Sequence, residues 1–486
     1  MSIAPPSTPA AVPETSSRSV WFDVVRANAW LVPTLLLLWP IGFLVEREDG
    51  LDPYVAIVLM LIGINIILAV SLQLINGISG QFSLGHAGFM AVGAYFAGYP
   101  TTSLTTDFDQ PGRVILFFAA SAIVALLSSV VLFAFFAIIR ASRRAHSALP
   151  GVLFMALIVW IVTDVARARD AEVIGWATAW PRGFALLGEL FVWVSTHGAG
   201  LADGFTQALP DGWVKPLTFG VALLGGGVCA AVAGLIVGLP TLRLRGDYLA
   251  IATLGFAEII RVAFNNIVPF GQARGMSLTF YANLADPTEG LVAHYILPWI
   301  FGTAIITIVV IWRLKNSPKG RAIRAVAEDE IAAGSLGIDP THHKVLSFVT
   351  GAFFAGLAGG LYAHYIGFIN PDSFTFMQSV EIVVMVTLGG LGSIRGAVIA
   401  AVLLTFLPEF LRSPSDWIAL AAKPLGVEDA RGLNLPQWLV TTFAWIADKR
   451  MVIYALLLIV VMLVRAKGLP RPIRWLAQRR KRTAAA

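Results

Sequence analysis

Long apolar stretches alternate with short polar ones along the whole chain. Residues 54–75, 114–139, 218–239 and 295–312 contain no Asp, Glu, Lys or Arg, and His364 is the one side chain of 345–367 that can carry charge near neutral pH. A helix that crosses a bilayer needs about 20 predominantly apolar residues, so each of these stretches predicts a span. Stretches 30–45, 82–99, 148–163, 249–268, 379–393, 396–411 and 451–464 are shorter, or interrupted by Gly, Pro or charge. They predict tilted, broken or re-entrant segments. The pattern as a whole predicts an all-α polytopic membrane protein with about twelve membrane segments, some of them short or broken.

Composition agrees. Of 486 residues, 57% are hydrophobic and 13% are charged, against about 25% charged in an ordinary soluble domain. One cysteine, Cys229, rules out an internal disulfide and a thiolate metal cluster; in its Gly/Ala-rich surroundings it reads as a small packing residue. Residues 1–28, rich in Pro, Ser, Thr and Ala at their start, predict a disordered cytoplasmic tail rather than a signal peptide. The net charge of +6 gives no nucleic-acid face, because Lys and Arg cluster at the ends of apolar runs.

That clustering sets an expected orientation. Lys and Arg favour short cytoplasmic loops. Residues 313–344 hold Arg313, Lys315, Lys319, Arg321, Arg324 and Lys344, the tail 467–486 is strongly basic, and Arg140, Arg143 and Arg144 follow another span. All three regions are expected inside, with both termini cytoplasmic. Segment Asn370–Phe374 then faces outward and Arg395 lies near the inner surface. One membrane region is expected over 29–466, with a polar inner loop at 313–346.

Within that loop, residues 321–338 (RAIRAVAEDEIAAGSLGI) read as one amphipathic helix. Ile323, Ala327, Ile331 and Ala332 fall near a 3.6-residue period. Glu328, Asp329 and Glu330 are expected on the polar side, Gly334 and Gly337 at a loosened end, and Pro340 as the stop. Helices lying on lipid usually present Lys and Arg to the headgroups. Three consecutive acids make lipid a poor partner for this part, and a small face at Ala332 and Ala333 suits a groove in another protein.

Glu330, Ala332, Ala333 and Gly337 resemble the coupling-loop motif of ATP-binding-cassette importer permeases. Residues 80–99 (GQFSLGHAGFMAVGAYFAGY), 242–266 (LRLRGDYLAIATLGFAEIIRVAFNN) and 386–401 (VTLGGLGSIRGAVIAA) are similar to segments of the branched-chain amino acid permeases, most of all the longer member of their heterodimeric pair. Urea and short-amide permeases are close relatives of that family. The resemblance covers residues 54–99, 217–268 and 295–411. It implies a core of about ten segments, and therefore a two-span insertion at about 100–217. It also implies transport without chemistry, of branched-chain or related hydrophobic amino acids, with ATP and Mg on partner chains. Those partners would be a second permease subunit, two cytoplasmic ATP-binding subunits and an extracytoplasmic solute-binding protein, in a bacterial inner membrane. The docking residues it implies are Arg321, Arg324, Glu328, Asp329, Glu330, Ala332, Ala333 and Gly337.

No phosphate-binding G-x-x-x-x-G-K-[ST] loop occurs, and no catalytic or metal-ligand set stands out. Polar groups at membrane depth are costly and are usually paired or line an aqueous path. Candidates for such a path are Gln81, Ser83, His86, Glu258, Arg261, Asn265 and Asn266, with Glu258 and Arg261 spaced for an ion pair on one helical face. Asp247 reads as a helix-start residue. Recurrent glycines at 77–93 and 351–360 predict close helix packing. The denser Gly389, Gly390 and Gly392 predict a helix broken beside the path, since irregular backbone at that depth survives only against protein or water. An ion-coupled transporter would need titrating intramembrane acids and often shows internal repeats, and neither is evident. A membrane-embedded enzyme would need clustered catalytic groups.

Overall fold

Uncharged runs fold as helices because, in lipid, a backbone must satisfy its own hydrogen bonds. The computed structural model describes residues 53–103, 211–241, 244, 246–267, 270–278 and 291–412, with scattered positions beyond 412. The tails 1–28 and 467–486, the expected spans 30–45, 114–139 and 148–163, and nearly all of 412–464 lie outside the described residues, as does the insertion apart from its ends.

The elements are α1 (Pro53–Leu72), continued by a π-helical turn (Gln73–Ile78), α2 (His86–Ser103), α3 (Asp211–Thr241), α4 (Asp247–Asn266), α5 (Leu291–Asn316), α6 (Pro318–Glu328), α7 (Glu330–Ser335), α8 (Pro340–Ile366), α9 (Phe376–Gly389) and α10 (Ile394–Arg412). A two-residue antiparallel ribbon pairs β1 (Met276–Ser277) with β2 (Phe368–Ile369), Met276 opposite Ile369. Among the described residues, five helical stretches are long and apolar enough to cross a membrane: Tyr54–Ile78, Pro216–Thr241, Ile296–Asn316, Pro340–Ile366 and Ile394–Arg412. The interrupted runs become shorter or more polar helices, α2, α4 and α9, of 18, 20 and 14 residues.

Glycine sets how the bundle packs. Lipid offers no hydrophobic drive between helices, so association rests on close van der Waals contact. Helices α2, α3 and α8 meet almost backbone to backbone. A Cβ added at Gly359 would lie 1.9 Å from the Met90 carbonyl oxygen, and one at Gly93 would lie 2.1 Å from that of Gly356. On α3, a Cβ at Gly226 would lie 2.7 Å from the Gly93 carbonyl oxygen. Each glycine is therefore a contact point that Ala cannot fill.

The break expected near 389–392 is present, and its four glycines divide two tasks. Gly390 (φ 88°) and Gly392 (φ 79°) take left-handed backbone that other residues resist. Gly389 and Gly396 let the end of α9 cross the start of α10: a Cβ at Gly396 would lie 1.7 Å from the Gly389 carbonyl oxygen. This break sits at the same end of the bundle as the α5–α6 corner, where the Lys315 ammonium donates to the Gly392 carbonyl. Segment Pro371–Ser373 follows β2, packs on α4 and precedes α9 at its other end. Asn370–Phe374 and Arg395 thus lie at opposite ends of α9.

Candidate functional site

The polar loop differs from its sequence reading in one decisive respect. Residues 321–338 form two helices, not one. Ser317 starts α6: its hydroxyl accepts from the Gly320 amide at 3.1 Å and donates to the Leu314 carbonyl at 2.7 Å, with Pro318 in the first turn. Ile323 and Val326 are buried against the bundle, while Arg321, Arg324, Ala327 and Glu328 are exposed. At Asp329 the chain turns extended (φ −151°, ψ 108°). The Asp329 carboxylate then accepts from the amides of Ile331 (2.9 Å) and Ala332 (3.0 Å), capping α7.

Asp329 is thus a capping group rather than a member of an acidic face. Glu330 is also engaged, by an ion pair of 2.8 Å with Lys344 on α8. The paired alanines separate: Ala333 is 3% exposed and fixes α7 to the bundle, whereas Ala332 faces out. Gly337 (φ 82°) ends the hairpin, and Pro340 opens α8 behind the Asp339 cap instead of stopping a helix. What projects is apolar. Ile331 on the six-residue α7 is 76% exposed, and Leu336, the residue that caps its C-terminus, is 81% exposed.

The predicted path residues divide into two groups. Gln81, Ser83 and His86 lie on or just after the connection between the π-turn and α2, and all three are buried. Asn76 holds this connection by accepting from the Ser83 amide (3.1 Å) and donating to the Ser83 carbonyl (3.4 Å). Ser71 lies 2.8 Å from His86 Nε2. The same hydroxyl lies 2.9 Å from the Leu68 carbonyl of its own helix. Further support comes from α4 and α9, where Thr253 accepts from the Leu84 amide and Ser379 from the Ala87 amide, both at 3.1 Å.

Among the described residues, His86 Nδ1, both amide atoms of Gln81 and Gln73 Oε1 are buried with no hydrogen-bond partner. Each such group costs about 1–3 kcal/mol, and native structures keep them few. Their concentration on 73–86 marks this stretch as a polar place in an apolar bundle. Gln73 also donates to the Gly390 carbonyl at 2.9 Å, which brings the glycine break to the same group. Sequence reading passes over Ser71, Gln73, Asn76, Thr253 and Ser379. Their signal is the polar run Ser71, Gln73 and Asn76 inside an otherwise charge-free stretch.

The second group sits toward the other end. Arg261 pairs with Glu258, as the spacing predicts, and also with Asp372, both at 2.8 Å. One cation thus ties α4 to the turn before α9. Asn266 donates back to the Val262 carbonyl of its own helix at 2.7 Å, and Asn265 is half-buried. Neither asparagine joins the polar group around His86.

Residues 54–175 and 181–462 match the family described as branched-chain amino acid transport system / permease component. The chain belongs to that family. The match takes in most of 100–217. The permease is 38% identical over 229 residues to the high-affinity branched-chain amino acid transport system permease protein LivM of Salmonella typhimurium, covering 42% of this chain and 53% of that one. The Escherichia coli LivM is 37% identical over the same length and the same shares. LivH of Salmonella typhimurium, also named a high-affinity branched-chain amino acid permease protein, is 34% identical over 177 residues, 30% of this chain and 57% of its own. The chain spans about half the length of the curated relatives it matches. No solved structure matches it. A polytopic helical membrane protein is thus both what the family contains and what the five apolar helices form.

Proposed function

We propose that this permease is the transmembrane subunit of an ATP-binding-cassette importer that moves branched-chain or related hydrophobic amino acids into the cytoplasm. Hydrolysis of ATP, with Mg, falls to two separate cytoplasmic subunits. A second permease subunit completes the pathway, and an extracytoplasmic solute-binding protein delivers the substrate. The protein resides in a bacterial inner membrane with both termini cytoplasmic, an orientation supported by its Lys and Arg distribution.

The observation that carries this reading is the family match along 54–175 and 181–462. Geometry adds a docking element. Helix α7 is anchored by Ala333 and Glu330 yet presents Ile331, Ala332 and Leu336 outward, and exposed apolar groups of this kind seek a partner surface. The uncharged polar stretch 73–86 suits passage of a zwitterion, which would be trapped by strong fixed charges.

The test is uptake of labelled leucine by cells that lack their own branched-chain amino acid transport and express the chain with its genomic neighbours. Uptake that isoleucine and valine compete is the expected result. Uptake of urea or short amides without leucine transport would replace the substrate assignment.

A further inference from the structure

The glycine break between α9 and α10 is held by side chains from two other elements. Gln73, on the π-turn, donates to the Gly390 carbonyl at 2.9 Å. Lys315, in the last turn of α5 and half-buried, donates to the Gly392 carbonyl. The two carbonyls lie in a turn whose glycines take φ of 88° and 79°, backbone that hinges exploit because it can change without moving a side chain through its neighbours.

Lys315 and the π-turn that carries Gln73 both border α6. Lys315 is two residues before the Ser317 cap. The corner beyond it is stiff: a Cβ at Gly320 would lie 2.0 Å from the Leu314 carbonyl oxygen. Motion of α6 therefore carries the last turn of α5 with it. Farther along α6, Ala327 packs on Gly80, just past the π-turn, where an added Cβ would lie 3.2 Å from the Ala327 methyl. The π-turn's Gly77 abuts the Gly392 amide, at 2.4 Å from a Cβ placed there.

We propose that Lys315 is the positioning residue through which movement of the α6–α7 hairpin is passed to the glycine break, and so to the polar stretch around Gln73 and His86. Helix α6 acts on the break at two points, by Lys315 on one side and by Ala327 against the Gly80 turn on the other. A charge-assisted bond from an ammonium to a backbone carbonyl is strong for its size. This role rests on the permease reading above.

The experiment uses vesicles containing the complete transporter: both permeases, both ATPase subunits and the binding protein. Lys315→Met keeps the side-chain length and removes the ammonium; Lys315→Arg restores a cation. Lys315→Met is expected to assemble with the ATPases as the native chain does, while ATP-driven leucine uptake falls roughly tenfold, equivalent to about 1.4 kcal/mol. Lys315→Arg is expected to recover most of that uptake. Native-level uptake by Lys315→Met overturns the proposal. Absence of ATP-driven uptake by the native complex would instead overturn the permease reading.

A second measurement keeps Lys315 in place. In a Cys229→Ala background, Leu391→Cys puts a thiol at the exposed tip of the break. Its maleimide-labelling rate is expected to change when a non-hydrolysable ATP analogue closes the ATPase subunits. The same rate with and without the analogue overturns the proposal, whatever the Lys315 variants do.

Discussion

Replacing Ile331 and Leu336 with Ser isolates docking from folding. Both side chains are mostly exposed, at 76% and 81%, so neither supports the bundle, and surface changes of this kind alter stability by at most about 0.5 kcal/mol. In the assembled transporter each would be covered by a partner. Full burial of an Ile or Leu side chain is worth about 1.5–3 kcal/mol. About four-fifths of each is available to be buried, which gives roughly 1–2 kcal/mol per residue on the same scale. With tenfold per 1.4 kcal/mol, the double variant should bind the ATPase subunits on the order of a hundredfold more weakly. The assay is titration of purified ATPase subunits onto the permease pair in lipid discs, with the unfolding midpoint of the free permease as the control. Unchanged affinity together with an unchanged midpoint would refute docking through α7. A lowered midpoint would show instead that these side chains pack within the chain.

Two further predictions follow from the geometry. Glu330→Lys places like charge against Lys344 and should loosen α7 from α8, weakening ATPase association; adding Lys344→Glu restores the pair with reversed sign and should recover most of the loss, measured as a coupling energy in a double-mutant cycle. Gly359→Ala drives a methyl into the Met90 carbonyl and should lower the unfolding midpoint, overpacking of this kind costing about 1–3 kcal/mol. Gly255→Ala is the matched control, since a methyl there meets nothing within 4 Å and should be neutral or mildly stabilising.

Among the described residues the uncharged spans were legible, because length and absence of charge alone select them. The run 54–75 becomes α1 with its π-turn, and 345–367 becomes most of α8. The glycine break was legible too, since only glycine tolerates the dihedral angles at 390 and 392. The split at Asp329 was not, because Glu-Asp-Glu carries no Gly or Pro and an Asp serves equally on a helix surface or as a cap. Asp339-Pro340 carries a helix-start signal, an N-cap followed by Pro, and it opens α8 rather than ending the loop helix. Long-range partners left no trace in the sequence. Arg261 meets Asp372 across 111 residues and Gln73 meets Gly390 across 317, contacts set by tertiary packing. The buried polar group around His86 was half legible. Gln81, Ser83 and His86 stand out in a glycine-rich stretch, whereas Gln73 and Asn76 are masked by the apolar run that contains them.

If a soluble ATPase works this bundle through its α6–α7 hairpin, ATP rather than an ion gradient must drive uptake. Leucine uptake should be measured in vesicles holding the permease pair and ATPase subunits, with loaded binding protein on the opposite face. The expected result is uptake that requires ATP on the ATPase side and continues when an uncoupler dissipates the proton gradient. Uptake that proceeds without ATP and collapses with the uncoupler would contradict it.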